Sequence, residues 1–300
     1  HVLFRRQRQM CIRDRPGSTD EVDVIFKVEE QFSGSIGGSL GYGAYGFSLG
    51  ANYSEKNAFG TGNSINVGIT YSEWRQDISF NFFDPYFTID GIGLGYGAFI
   101  RKTDYGNFNL AAYNTDSYGG SVSFDLPISE IEQVGLSLSY DKTDLKTNLY
   151  SSRQLLDFYN SEGFDFTTYN ASVSWRRITL DRGLFPTRGT SNGISLSFSL
   201  PGSNLNFGRL THEFKYFQPL PRGLIFGYRS KIGYLFTYGD TESAPPYQYF
   251  YAGGMRSVRG FKQNYLGPKA VYQSGIAVRN QRPVGGPYSC LLYTSPSPRD

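Results

Sequence analysis

The chain has 300 residues and a formal charge of +3, with 36 Gly, 24 Tyr and 24 Phe against only 2 Met and 2 Cys. The positive charge belongs to residues 1–15, HVLFRRQRQMCIRDR, which carry five Arg and one Asp; the rest of the chain sums to −1, so no nucleic-acid partner is expected. No apolar run of about 18 residues occurs, which excludes a spanning helix. The two cysteines, Cys11 and Cys290, are too few for a disulfide framework or a zinc site, so no metal or cofactor is expected.

Taken in order, residues 1–15 share no apolar period with the middle of the chain and read as an artefactual, adaptor-derived head. Residues 16–31 hold one strand-like stretch, EVDVIFKVEE. From residue 32 a period of two takes over. In NSINVGITYSEW, Ile65, Val67, Ile69 and Tyr71 alternate with Asn66, Gly68, Thr70 and Ser72. VGLSLSY, YNASVSWR and NGISLSFSL repeat the pattern at residues 134–140, 169–176 and 192–200. Such alternation places successive side chains on opposite faces of a strand.

Eleven such segments can be placed, at about 33–42, 45–54, 63–73, 76–84, 91–101, 117–126, 134–141, 167–179, 191–200, 206–218 and 223–239. Most run near the nine to eleven residues, roughly, that a tilted strand needs to cross a bilayer. The joins alternate in character. EKNAFGTG, DPYFTIDG, PISEIEQ, DRGLFPTRG and PLPRG are compact, whereas 102–116, 141–166 and everything after 240 are long. Short turns on one rim, long loops on the other, and a mean hydropathy of −0.38 with abundant aromatics describe an all-β, antiparallel transmembrane barrel of the outer-membrane type.

Aromatics at the compact rim (Phe59, Phe82, Phe83, Tyr86, Phe87, Phe185, Tyr216 and Phe217) are expected to form an interfacial girdle. Arg176, Arg209, Glu213, Lys215, Arg229 and Lys231 are expected to face a wet lumen, with Leu210, Phe214, Tyr228 and Ile232 on the opposite face. The tail at 289–300, SCLLYTSPSPRD, lacks this pattern and reads as artefactual; like the head, it is expected to stay outside the sheet.

Two motif matches carry no chemistry in this setting. Gly93, Gly95 and Ala98 fit a dinucleotide spacing, but strand alternation runs through them where a helix N-terminus is required. Gly189, Ser191 and Gly193 fit a nucleophile elbow, yet they open a strand, and the available base, His212, is expected on the outward face. No enzyme is expected.

YFYAGGMRSVRGFKQNYLGPKAVY, residues 249–272, breaks the alternation. Its YAGGMRSVRGF and LGPKAVY closely resemble the sixth extracellular loop of the BamA family, the outer-membrane protein assembly factors. LDRGLFPTRGT, DPYFTIDG and PGSTDEVDVIFKVEE resemble that family in the same order, so the likeness covers about 16–288. It implies that 16–31 end the last POTRA domain and that 32–288 form about eleven of sixteen barrel strands, with the sixth loop at 240–280. The sequence would then be a fragment, its missing N-terminal part periplasmic.

The resemblance further implies a functional loop at Val258, Arg259, Gly260 and Phe261, with Arg259 turned into the lumen toward carboxylates on strands beyond residue 288. Aromatics at 249–251 and Phe261 would anchor that loop. It also implies a lateral gate along Ser33, Gly34, Ser35, Ile36, Gly37, Gly38, Ser39, Leu40 and Gly41. Glycine supports the gate independently, because it weakens strand pairing and leaves little side chain to lock a seam. The function implied is insertion of β-barrel proteins into the bacterial outer membrane. Its partners would be nascent outer-membrane proteins, assembly-complex lipoproteins and the bilayer. The alternatives are a two-partner-secretion type porin of the same superfamily and a passive diffusion porin, which would lack V-R-G-F.

Overall fold

Alternating apolar and small polar residues resolve into one long meander. The protein is described by a computed structural model over residues 9–14, 22–27, 32–43, 46–105, 113–147, 151–254, 257–272 and 282–298. Twelve strands form a single antiparallel sheet in chain order. They are β3 (Gly34–Gly43), β4 (Gly46–Ala58), β5 (Asn63–Ser72), β6 (Arg75–Asp84), β7 (Gly93–Asp104), β8 (Tyr113–Pro127), β9 (Glu132–Thr147), β10 (Asp165–Ile178), β11 (Gly189–Ser199), β12 (Phe207–Pro219), β13 (Leu224–Thr237) and β14 (Tyr288–Pro298). A separate pair joins β1 (Gln9–Asp14) to β2 (Val22–Lys27).

Eleven of the twelve strands fall where alternation places them, and the compact joins all lie at one rim. The β8–β9 hairpin is longer than its pattern suggests, pairing from Tyr113↔Thr147 to Pro127↔Gln133. Its far end carries Asp116, Lys142, Asp144 and Lys146, which mask the apolar period; Lys146 pairs with Asp116 at 2.5 Å and Lys142 with Asp165 at 3.1 Å. The expected long loops at 102–116 and 141–166 fall partly outside the described residues, at 106–112 and 148–150.

The expectation that the tail stands apart from the sheet is corrected. Residues 288–298 pair with β13 in unbroken register, from Tyr234↔Tyr288 to Leu224↔Pro298. The physical reason lies in β13, whose free edge is a row of backbone donors and acceptors that pairs with any extended segment. Pro296 and Pro298 lack a donor, which an edge strand tolerates. The head lies apart from that sheet but is not irregular: Gln9–Asp14 pair with Val22–Lys27 in the separate two-stranded sheet, while residues 1–8 and 15 lie outside the described residues. Of 16–31, only 22–27 are described.

Register carries facing across the whole sheet. Ile36, Tyr53, Val67, Phe80 and Ala98 form one cross-strand row. That face presents Ile36, Leu49, Ile69, Ile78, Ile100, Leu138, Val173, Ile194, Leu210, Ile232 and Leu292 to the surroundings, all exposed. An apolar face of this extent is incompatible with water and suits hydrocarbon. The opposite face carries Ser, Asn, Gly and charged groups. Phe82 and Tyr216 face outward as expected, but Phe83 and Phe217 fall on the inner face, opposite Gly95 and Gly227. The sheet is open among the described residues: β3 pairs with β4 alone and β14 with β13 alone.

Candidate functional site

The inner face holds the segment between β13 and β14. Its first anchor is aromatic. Phe250 lies against β13 where Gly233 leaves room; a Cβ there would meet the ring at 2.5 Å. The Arg209 guanidinium sits over the ring, 4.6 Å from its centroid. Phe250 also exchanges backbone hydrogen bonds with Gly286, at 2.9 and 3.1 Å. Beside it, the Tyr251 hydroxyl lies 3.5 Å from that of Tyr113 and donates to the Pro246 carbonyl at 3.2 Å. Burial pushes the Tyr247 and Tyr251 hydroxyls well above the ordinary tyrosine range.

Tyr247, Tyr249 and Phe250 pack against a core at the long-loop rim built from Tyr113, Leu145, Phe166, Leu205, Phe207 and Leu235 at the strand ends. Helix α1 (Arg153–Glu162) completes it with Leu155 and Phe158, both nearly inaccessible. Phe158 meets Phe166 at 5.6 Å between ring centroids, and Phe166 meets Tyr247 at 6.4 Å. This helix falls within the expected long loop at 141–166 and is missed by strand periodicity. The signals that mark it are Ser152, whose side chain accepts from the Leu155 amide, and Gly163 at the C-terminal end.

The turn bearing Val258, Arg259, Gly260 and Phe261 is stapled to the glycine pair before it. Gly254 N donates to Val258 O at 3.1 Å, and Gly253 N to the Ser257 hydroxyl at 2.7 Å. Both glycines have positive φ, and a Cβ on Gly253 would meet the Lys262 carbonyl at 2.5 Å, so only glycine fits there. Arg259 is exposed and has no ion-pair or hydrogen-bond partner among the described residues. Phe261 is 49% exposed, so the loop's anchors are residues 249–251 rather than Phe261. Residues 255–256 and 273–280 of the expected loop lie outside the described residues.

Below the loop lies a cavity of about 830 Å³, lined by Ser257, Tyr249 and Tyr251 and by inner-face groups including Arg176, Arg209, Glu213, Arg229 and Lys231. All five of those charges were expected to face inward. Glu213 bridges Arg229 at 2.7 Å and Lys215 at 3.4 Å, and Arg176 donates to Gln133 at 2.7 Å. His212 lies on the outward row opposite Ile194 and meets Asn192 at 2.9 Å. Ser191 pairs with Lys215 on the inner row. The nucleophile-elbow pair is therefore split across the two faces.

At the far edge, Gly34, Ser35, Ile36, Gly37, Gly38, Ser39, Leu40 and Gly41 lie in β3, and Ser33 directly precedes it. One side of β3 pairs with β4, from Gly34↔Glu55 to Gly43↔Gly46. The other side has no strand among the described residues. Ile36, Leu40 and Tyr42 are its large outward groups, 86%, 75% and 87% exposed. Over Gly38 there is open space, while the Asn52 side chain fills the space over Gly37.

The Omp85 superfamily domain matches residues 57–289. The chain is 31% identical over 270 residues to the outer membrane protein assembly factor BamA of Neisseria meningitidis serogroup B, covering 86% of this chain and 34% of that protein. It is 27% identical to BamA of Nitratidesulfovibrio vulgaris, covering 83% of this chain and 31% of that protein. The crystal structure of BamA from Haemophilus ducreyi lacking POTRA domains 1–3 superposes with a TM-score of 0.81 at 28% identity, over 94% of this chain and 56% of that one. The chain thus spans about a third of the length of these curated relatives.

Proposed function

The chain belongs to the Omp85 superfamily and is an integral β-sheet protein of the outer membrane; from that premise we propose that it forms part of a machine that inserts β-barrel proteins into that membrane. The observation that carries the reading is strand β3 itself, which has five glycines in ten residues and pairs with β4 from Gly34↔Glu55 to Gly43↔Gly46. A strand edge offers backbone donors and acceptors at fixed spacing, and an incoming strand adds to it by β-augmentation. Glycine at 34, 37, 38, 41 and 43 leaves few side-chain contacts to break when a native seam opens. The work done is a lowered barrier to strand insertion, with no covalent bond made or broken.

The loop supplies the second part of the mechanism. Phe250, Tyr251 and Tyr247 hold it against the inner wall, so that the turn at 257–261 stands over the cavity at Ser257. Arg259, permanently charged and without a partner among the described residues, is free to make a two-pronged bond to a carboxylate. Nascent outer-membrane strands are the substrate, lipoproteins of an assembly complex are partners, and a periplasmic segment precedes the barrel. The reading is tested by depleting the native protein in cells and supplying Arg259→Ala in the full-length protein. Reduced levels of folded outer-membrane proteins support it, and unchanged levels remove Arg259 from the mechanism.

A further inference from the structure

We infer that helix α1 is a clamp that sets the pose of the inner loop, with Gln154 and Glu162 as its positioning residues. The inference rests on the proposed role of that loop. The helix stands between β9 and β10, yet its polar contacts go to the segment between β13 and β14. At its N-terminal end, Gln154 bonds both ways to one limb: its amide donates to the Lys269 carbonyl at 3.1 Å, and its carbonyl oxygen accepts from Val271 N at 3.0 Å. Arg153 N adds a bond to the Val271 carbonyl at 2.6 Å. At the C-terminal end, one oxygen of Glu162 accepts from Glu242 N at 2.9 Å and Ser243 N at 3.2 Å, on the other limb.

One short helix therefore holds both limbs of a loop about 80 to 117 residues away along the chain. Backbone groups of irregular segments need such partners when they are packed against protein. Side-chain packing reinforces the grip: Leu155 and Phe158 share a buried cluster with Ala270, which is fully inaccessible. Between the two gripped limbs lies the turn that carries Arg259.

The clamp is tested in the full-length protein in cells, with Cys11 and Cys290 replaced by Ser and a reporter Ala270→Cys, whose thiol is covered while the loop is held. Labelling by a membrane-impermeant maleimide is read beside assembly of outer-membrane proteins. Gln154→Ala with Glu162→Ala should raise the labelling rate about tenfold, the loss expected of several modest hydrogen bonds. Assembly should fall, while heat-modifiability of the sheet is unchanged. Glu162→Gln keeps an acceptor oxygen, so it should restore most of the protection that Glu162→Ala loses, a rescue that helix unfolding would not give. Labelling that stays at the parent rate in the double variant overturns the clamp. Raised labelling with full assembly upholds the clamp and overturns instead the role given to the loop.

Discussion

The Phe250 ring meets two groups of the wall, the Arg209 guanidinium 4.6 Å from its centroid and Gly233 of β13, where an added Cβ would lie 2.5 Å from a ring carbon. Arg209 and Gly233 lie on adjacent strands, with Thr211 opposite Gly233. The docking of the loop thus depends on a missing side chain as much as on a present one.

Gly233→Val should displace Phe250 and release the loop while leaving the sheet intact. The cation–π contact contributes about 0.5–2 kcal/mol, so Arg209→Met should weaken docking several-fold and Arg209→Lys less. Hydrogen exchange at the Phe250 and Gly286 amides reports it directly. Faster exchange there, with unchanged protection in β12 and β13, is the expected result.

The facing of the sheet predicts opposite responses at adjacent positions. Leu196 lies on the outward row beside Val173 and Leu210, and Ser195 on the inner row beside Ser174 and Thr211. Leu196→Arg should destabilise the folded protein in bilayers by about 2–4 kcal/mol, the cost of a cation near the midplane. Ser195→Arg should change stability little. Denaturant unfolding in lipid vesicles measures both.

Alkaline pH should undock the loop before it opens the sheet. Burial holds the Tyr247 and Tyr251 hydroxyls above their ordinary value of about 10. Because the folded values are raised, docking stability is fully present below about pH 10 and is lost as pH rises toward those values. Ultraviolet titration should show loop release, by Phe250 exchange, at a pH below strand melting. Tyr247→Phe with Tyr251→Phe should abolish that step.

At the compact rim, Asp181 accepts from Thr187 N at 2.9 Å, the Thr187 hydroxyl at 2.6 Å and Arg188 N at 3.3 Å. These bonds hold its carboxyl well below the usual range, so the turn's stability is present above about pH 4 and is lost only as pH falls through the lowered value. Asp181→Ala should make the 181–188 turn cleavable by protease at neutral pH, where the parent resists. Equal cleavage in both would show that these bonds do not order the turn.

Period-two alternation made the wall legible because each strand has one face toward hydrocarbon and one toward small polar groups. It failed where another force sets the structure. The far end of β8–β9 alternates charges rather than apolar groups, so Lys142 and Asp144 hid its length. Helix α1 was hidden by brevity, with only Leu155 and Phe158 fully buried. The tail strand is held by the backbone edge of β13, which side-chain pattern does not encode. At the loop, the glycines and aromatics were visible, but that Gly233 and Arg209 receive Phe250 depends on strand register between distant positions.

The central claim is that the glycine-rich β3 receives an incoming strand along the edge away from β4. Its most direct test is cysteine cross-linking in the full-length protein, with single cysteines from Ser33 to Gly41 and a cysteine series in the last strand of a nascent outer-membrane substrate. The account predicts disulfides in a continuous antiparallel or parallel register along β3, stepping by one residue on each strand. They should weaken when Gly37→Val and Gly38→Val stiffen the edge. Disulfides absent from β3 while the substrate is still assembled at the parent rate would contradict it.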